Sequence, residues 1–177
     1  MRFTISPMLL ADANRPTIAV LSSPSTGYNF KLAVRTKNGS NMDQKPLRIF
    51  LVEDNPADVV LTRMSVEESG TVHDLMVIAD GEAALAYLRV ANPLPDLILL
   101  DLKLPKRDGF AVLEMLREMP RFSKVPVAIL SCSQTPDDQE RALKLGASAY
   151  FEKPNSLAGY KKLAHRFETL CHTFTAP

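Results

Sequence analysis

From Leu47 onward the chain alternates between short apolar runs and longer stretches with helical spacing. LRIFLV (47–52) is an apolar run closed by Glu53-Asp54-Asn55, and Pro56-Ala-Asp opens a helical stretch to about Ser69. Proline suits a first helical turn because its missing N–H would be unpaired there anyway. HDLMVIA (73–79) reads as a strand, and GEAALAYLRV (81–90) as a helix with Ala84, Leu85 and Leu88 on one face. DLILLD (96–101) has the pattern of a buried strand, and the spacing predicts a helix from Gly109 to Met119 that stops before Pro120. VPVAILS (125–131) is a further apolar strand. Thr135-Pro136-Asp137-Asp138 has the form of a capped helix start with early acids, and that helix ends at Gly146. SAYFE (148–152) is a short strand, and a last helix runs from Ser156 to about Leu170, repeating Leu157, Tyr160, Leu163, Ala164, Phe167 and Leu170.

The order is therefore (βα)5, an α/β chain. Near-continuous apolar strands alternating with helices predict a parallel sheet covered on both faces. Right-handed crossovers then favour a doubly wound, five-stranded parallel sheet. The flavodoxin-like strand order 2-1-3-4-5 is the leading choice, with a crevice between its first and third strands. Glu53-Asp54 ends the first strand and Asp101 the third, so both flank that crevice, and Lys153-Pro154 follows the fifth. Carboxylates gathered in one crevice repel each other unless a cation intervenes. The set suits a hard divalent ion such as Mg²⁺, which takes oxygen ligands and keeps several waters.

Composition changes the picture mainly before Leu47. Residues 1–46 carry six Lys/Arg against two Asp/Glu, while residues 47–177 carry fifteen against eighteen. The body is thus faintly acidic and gives no reason to expect nucleic-acid binding. Hydrophobic residues make up 46%, enough for a core, yet no window approaches a membrane helix. Residues 1–45 are rich in Ser, Thr, Asn, Gly and Pro without a sustained period, and we assign them as a disordered or loosely attached tail. MLLA and IAVL form no continuous signal-peptide core, so we reject secretion; the basic, hydroxyl-rich tail leaves organellar transit as a minor alternative. Met42 stands just before the first strand and offers an alternative start, which intact mass of the native protein would test. The globular domain is assigned to 46–172, with a short tail at 173–177. Cys132 and Cys171 make no disulfide framework or metal spacing, which fits reduced thiols and a cytoplasmic protein. Redox control through Cys132 has no supporting pattern around it.

Four segments, LVEDNPAD, DLILLDLKLPKRDG, VAILSCS and GASAYFEKP, resemble in order the signature segments of two-component response-regulator receiver domains. The resemblance runs from about Leu47 to Leu170. Within the family, the segment after Asp101 and the closing helix resemble stand-alone receivers often paired with bacterial phytochrome kinases.

The resemblance implies that Asp101 accepts a phosphoryl group from a phosphohistidine donor, a carboxylate oxygen attacking phosphorus in line. It implies Mg²⁺ held by Glu53, Asp54, Asp101 and the backbone carbonyl of Lys103. Glu53 replaces the first Asp of the commoner Asp-Asp pair, which a longer arm accommodates. Lys153 would meet the phosphoryl oxygens as a point charge, with a cis bond to Pro154 aiming it. Ser131 matches the family's hydroxyl that bonds the phosphoryl group, and Tyr150 its switch aromatic, which moves as Ser131 is drawn inward. Lys103, two residues past Asp101, stands where water must approach, so slow self-dephosphorylation is expected.

The expected function is a single-domain response regulator, a signalling switch rather than an enzyme. Its expected partners are a sensor histidine kinase, of phytochrome type by analogy, and either a downstream protein target or a histidine phosphotransfer domain. No nucleic acid or membrane partner is expected, and homodimer formation through the fourth and fifth helices is left open. A phosphorelay intermediate and an unphosphorylated pseudo-receiver are the alternatives. An aspartyl-phosphate hydrolase would show DxD, whereas the residue two past Asp101 is Lys103. A Rossmann nucleotide site is excluded because no GxGxxG follows the first strand.

Overall fold

The computed structural model describes residues 18–20, 30–34, 46–68 and 73–175, the first two segments as backbone only. Met42 and most of the segment assigned as a tail lie outside the described residues. Seven strands form one sheet: β1 (Ile18–Val20), β2 (Phe30–Val34), β3 (Leu47–Val52), β4 (His73–Ile78), β5 (Leu97–Leu100), β6 (Val127–Ser131) and β7 (Ala149–Glu152). Five α-helices accompany them among the described residues: α1 (Pro56–Glu68), α2 (Gly81–Val90), α3 (Gly109–Glu118), α4 (Pro136–Lys144) and α5 (Leu157–Thr175).

The sheet order is β1-β2-β4-β3-β5-β6-β7. Its parallel part, β4-β3-β5-β6-β7, is the expected 2-1-3-4-5 arrangement. All four residues of β5 are fully buried, as a central strand covered on both faces requires. One apolar cluster joins the sheet to α2 and α3 through Leu85, Leu88, Val112 and Leu116. The other joins it to α1 and α5 through Val66, Tyr160, Leu163 and Phe167. The sheet is thus doubly wound.

Two elements depart from the sequence reading. It places no strand before Leu47, yet β2 pairs antiparallel with β4, Phe30 opposite Val77 and Val34 opposite His73, and β1 pairs with β2. Without them β4 would be an edge with unpaired N–H and C=O groups. IAV and FKLAV lie in a stretch rich in Ser, Thr, Asn, Gly and Pro, without the strand–helix alternation that frames the later strands. At the other end, α5 continues past Leu170 to Thr175 rather than giving way to a tail. Cys171, in this last part of the helix, is fully buried, and the Thr169 and Thr173 hydroxyls donate to the carbonyls of His165 and Thr169 one turn back.

Candidate functional site

The site is built where β3 and β5 end side by side. The Asp101 N–H donates to the Val52 carbonyl at 3.0 Å, so the residue after β5 is pinned beside the end of β3. The Glu53 N–H donates to Ile78 at 3.0 Å, which ties the same end to β4. Helix α1 starts three residues later, where Asn55 caps it by accepting from the Ala57 N–H at 3.0 Å. The chain leaves β3 and β5 in opposite directions here, which opens the crevice at their carboxyl ends.

Gly109 fixes the other wall. A Cβ built on it would lie 2.1 Å from the Asp101 carbonyl oxygen and 2.7 Å from the Leu102 Cα. The Gly109 N–H donates to the Leu102 carbonyl at 2.9 Å. The loop after Asp101 therefore folds back until the start of α3 touches the backbone that carries this carboxylate. Only glycine allows that approach.

Glu53, Asp54 and Asp101 offer carboxylate oxygens that all lie within 4.8 Å of one another. Glu53 and Asp101 are buried and Asp54 is exposed, so the cluster opens toward solvent on one side. An all-oxygen donor set with one solvent-facing member fits Mg²⁺, which keeps some of its waters. Burial, opposed by Lys153 and aided by the nearby Asp101 charge, leaves the Glu53 pKa raised to about 7.

Lys153 enters from the end of β7. Its N–H donates to the Ser131 carbonyl at 2.8 Å, which continues the strand pairing one residue past Glu152. The ammonium lies 2.7 Å from Glu53 Oε2, 2.8 Å from Asp101 Oδ2 and 3.0 Å from Asp58 Oδ2, and its side chain is only 4% exposed. Burial opposes its charge, but the Asp101 and Glu53 carboxylates outweigh that and raise its pKa. The expected cis bond is corrected: among the described residues only Asn92-Pro93 is cis, and Lys153-Pro154 is trans. The strand pairing and three carboxylates already aim the ammonium, so the ordinary isomer suffices.

The remaining candidates sit around this centre. The Lys103 N–H donates to Asp101 Oδ1 at 3.3 Å, while its side chain is exposed. Ser131 is fully buried, and its hydroxyl oxygen accepts from the Ser133 N–H at 3.2 Å. The half-buried Tyr150 donates its hydroxyl to the Ser133 carbonyl at 3.0 Å. Ser131 and Tyr150 thus meet through Ser133 rather than directly. Cys132 is exposed and Cys171 buried, and neither forms a disulfide among the described residues.

Sequence reasoning missed Asp58 and Tyr160. Asp58 is a first-turn acid of α1, five residues past Glu53, and reads as an ordinary helix-start charge. Tyr160 reads as a core position of α5, and its ring is indeed buried, yet its hydroxyl donates to Asp58 Oδ1 at 3.3 Å. Asp58 lies within the quoted segment LVEDNPAD, which was the available signal.

Residues 49–164 match the response regulator receiver domain family. Response regulator Rcp1 of Synechocystis sp. is 35% identical over 144 residues, covering 78% of this chain and 98% of Rcp1. The phosphorylated cyanobacterial phytochrome response regulator RcpA superposes with a TM-score of 0.68 at 34% identity, covering 75% of this chain and 98% of RcpA. The Mn²⁺-bound form of Rcp1 gives 0.67 at 36% identity, with 75% and 99% covered. The resemblance carried by four short segments holds across the globular part, and the chain belongs to the response regulator receiver domain family.

Proposed function

We propose that this receiver accepts a phosphoryl group on Asp101 from a sensor histidine kinase and signals through altered protein contacts. The observation that carries the reading is the buried Lys153 ammonium, 2.8 Å from Asp101 Oδ2, beside a three-carboxylate cluster. An Asp101 oxygen attacks phosphorus; the P–O bond forms as the P–N bond to the donor imidazole breaks, and the imidazole leaves. Lys153 turns from Asp101 to the incoming phosphoryl oxygens. Glu53, Asp54, Asp101 and the Lys103 carbonyl would hold Mg²⁺, which neutralises charge on those oxygens. The Lys103 N–H steadies the attacking carboxylate.

The output follows from Ser133. Drawing the Ser131 hydroxyl to the phosphoryl group gives up its bond from the Ser133 N–H, and Ser133 also holds Tyr150. The loop and the ring then move together, reshaping the face made by α4 and β7. Similarity to RcpA, a cyanobacterial phytochrome response regulator, supports a phytochrome-type kinase, and membership of the receiver family supports a cytoplasmic setting. Among the described residues no helix is long and apolar enough to cross a membrane.

The test is incubation with acetyl phosphate, with and without Mg²⁺, read by intact mass on wild type and Asp101→Ala. A Mg²⁺-dependent phosphoryl adduct that Asp101→Ala lacks supports the reading. Metal binding with no adduct from acetyl phosphate or beryllofluoride would leave the pseudo-receiver in its place. Transfer from the adduct to an isolated histidine phosphotransfer domain would mark a relay intermediate.

A further inference from the structure

An ammonium has three N–H donors, and in this protein Lys153 donates to Asp101 and Asp58 and is ion-paired with Glu53 at 2.7 Å. Two of these belong to the cluster suited to a divalent ion, whereas Asp58 stands outside it. Once a cation engages Glu53 and Asp101, Asp58 is the anionic partner left to Lys153 from this trio. Its second oxygen, Oδ1, is engaged by the Tyr160 hydroxyl. Tyr160 is itself immobilised: its ring is 1% exposed in the core, and its carbonyl accepts from the buried Ser65 hydroxyl of α1 at 2.7 Å. A first-turn acid also suits the helix dipole, but that role calls for neither a lysine from β7 nor a phenol from α5.

We propose that Asp58, fixed by Tyr160, is a positioning residue that keeps the Lys153 ammonium at the crevice when the other carboxylates are taken up. The string Lys153–Asp58–Tyr160 also ties the ammonium to the interface between α1 and α5, so those helices feel its displacement. As a role in phosphoryl uptake, this rests on the function proposed above.

The direct test is ¹⁵N NMR of the Lys153 ammonium in the full chain, metal-free and with Mg²⁺, the resonance being assigned by its disappearance in Lys153→Arg. A held ammonium exchanges its protons slowly and stays visible. Asp58→Asn and Tyr160→Phe are expected to shift and broaden the signal, and Asp58→Glu to restore it in part. An unmoved resonance in a folded Asp58→Asn overturns the proposal. Tyr160→Phe removes a single hydroxyl and keeps the test decisive if the Asp58 variants fail to fold; an unmoved resonance there overturns the part given to Tyr160.

Uptake from acetyl phosphate gives the second readout. Asp58→Asn should slow it about tenfold in the wild-type background and add nothing in a Lys153→Ala background. Equal slowing in both overturns the proposal, because Asp58 then acts without Lys153. If the wild type takes up no phosphoryl group, the proposed function fails, while the resonance still decides whether Asp58 positions the ammonium.

Discussion

Lys153 Nζ and Asp101 Oδ2 stand 2.8 Å apart, joined from the ends of β7 and β5 across 52 residues of chain. The contact neutralises a crowded acidic crevice with the residue that, in the proposed reaction, meets the phosphoryl group. Under that proposal, resting stability and phosphoryl uptake draw on the same ammonium.

Removing that ammonium should cost stability first. A buried pair broken on one side leaves uncompensated charge, typically worth about 3 kcal/mol or more. Metal-free Lys153→Ala is expected to lose about 3 kcal/mol by urea denaturation, and Mg²⁺ should recover part of it. A metal-free variant as stable as wild type would contradict this account of the crevice.

The pH dependence follows from Glu53, whose pKa burial raises to about 7 against an ordinary 4.5. Between those values the native carboxyl holds a proton that the unfolded chain has released. Its contribution to stability is thus fully present below about pH 4.5 and is lost as pH rises through about 7. Metal-free wild type should show this decline between pH 5 and 8, and Glu53→Gln should flatten it. Mg²⁺ affinity should rise over the same interval, because the ion requires the carboxylate; calorimetry in two buffers of different ionisation enthalpy would detect the released proton.

Gly109→Ala tests the wall behind Asp101. The new Cβ would meet the Asp101 carbonyl at 2.1 Å, and backbone cannot yield as a flexible side chain can. A loss of about 2–3 kcal/mol in thermal or urea unfolding is expected, together with slower phosphoryl uptake. Full uptake at wild-type stability would show that the loop relaxes freely.

Lys103→Ala addresses the lifetime of the acyl phosphate. The Lys103 backbone bonds Asp101 while its exposed side chain lies near enough to Asp138 to bias that carboxyl downward, after the Ser133 and Thr135 hydroxyls and Arg141. Truncation should open a path for water and speed self-dephosphorylation about fivefold, equivalent to about 1 kcal/mol of barrier. An unchanged decay of the adduct would remove Lys103 from the explanation.

Much of this protein was legible in one dimension. The apolar runs at 47–52 and 97–100, each closed by an acid, located β3, β5 and the carboxylates beyond them, because a central parallel strand must be apolar throughout. Pro56 and Thr135-Pro136 marked the starts of α1 and α4, since caps and first-turn prolines are local chemistry. The tertiary structure decided what depends on distant segments meeting. Asp58 and Tyr160 lie 102 residues apart and looked like a helix-start charge and a core aromatic; only the packing of α1 on α5 joins them. The route from Ser131 to Tyr150 through Ser133 and the strands β1 and β2 on the edge of β4 are likewise set by neighbours that no local pattern names. Periodicity records which face of an element is buried; it does not record which side chains from other elements complete a hydrogen bond there.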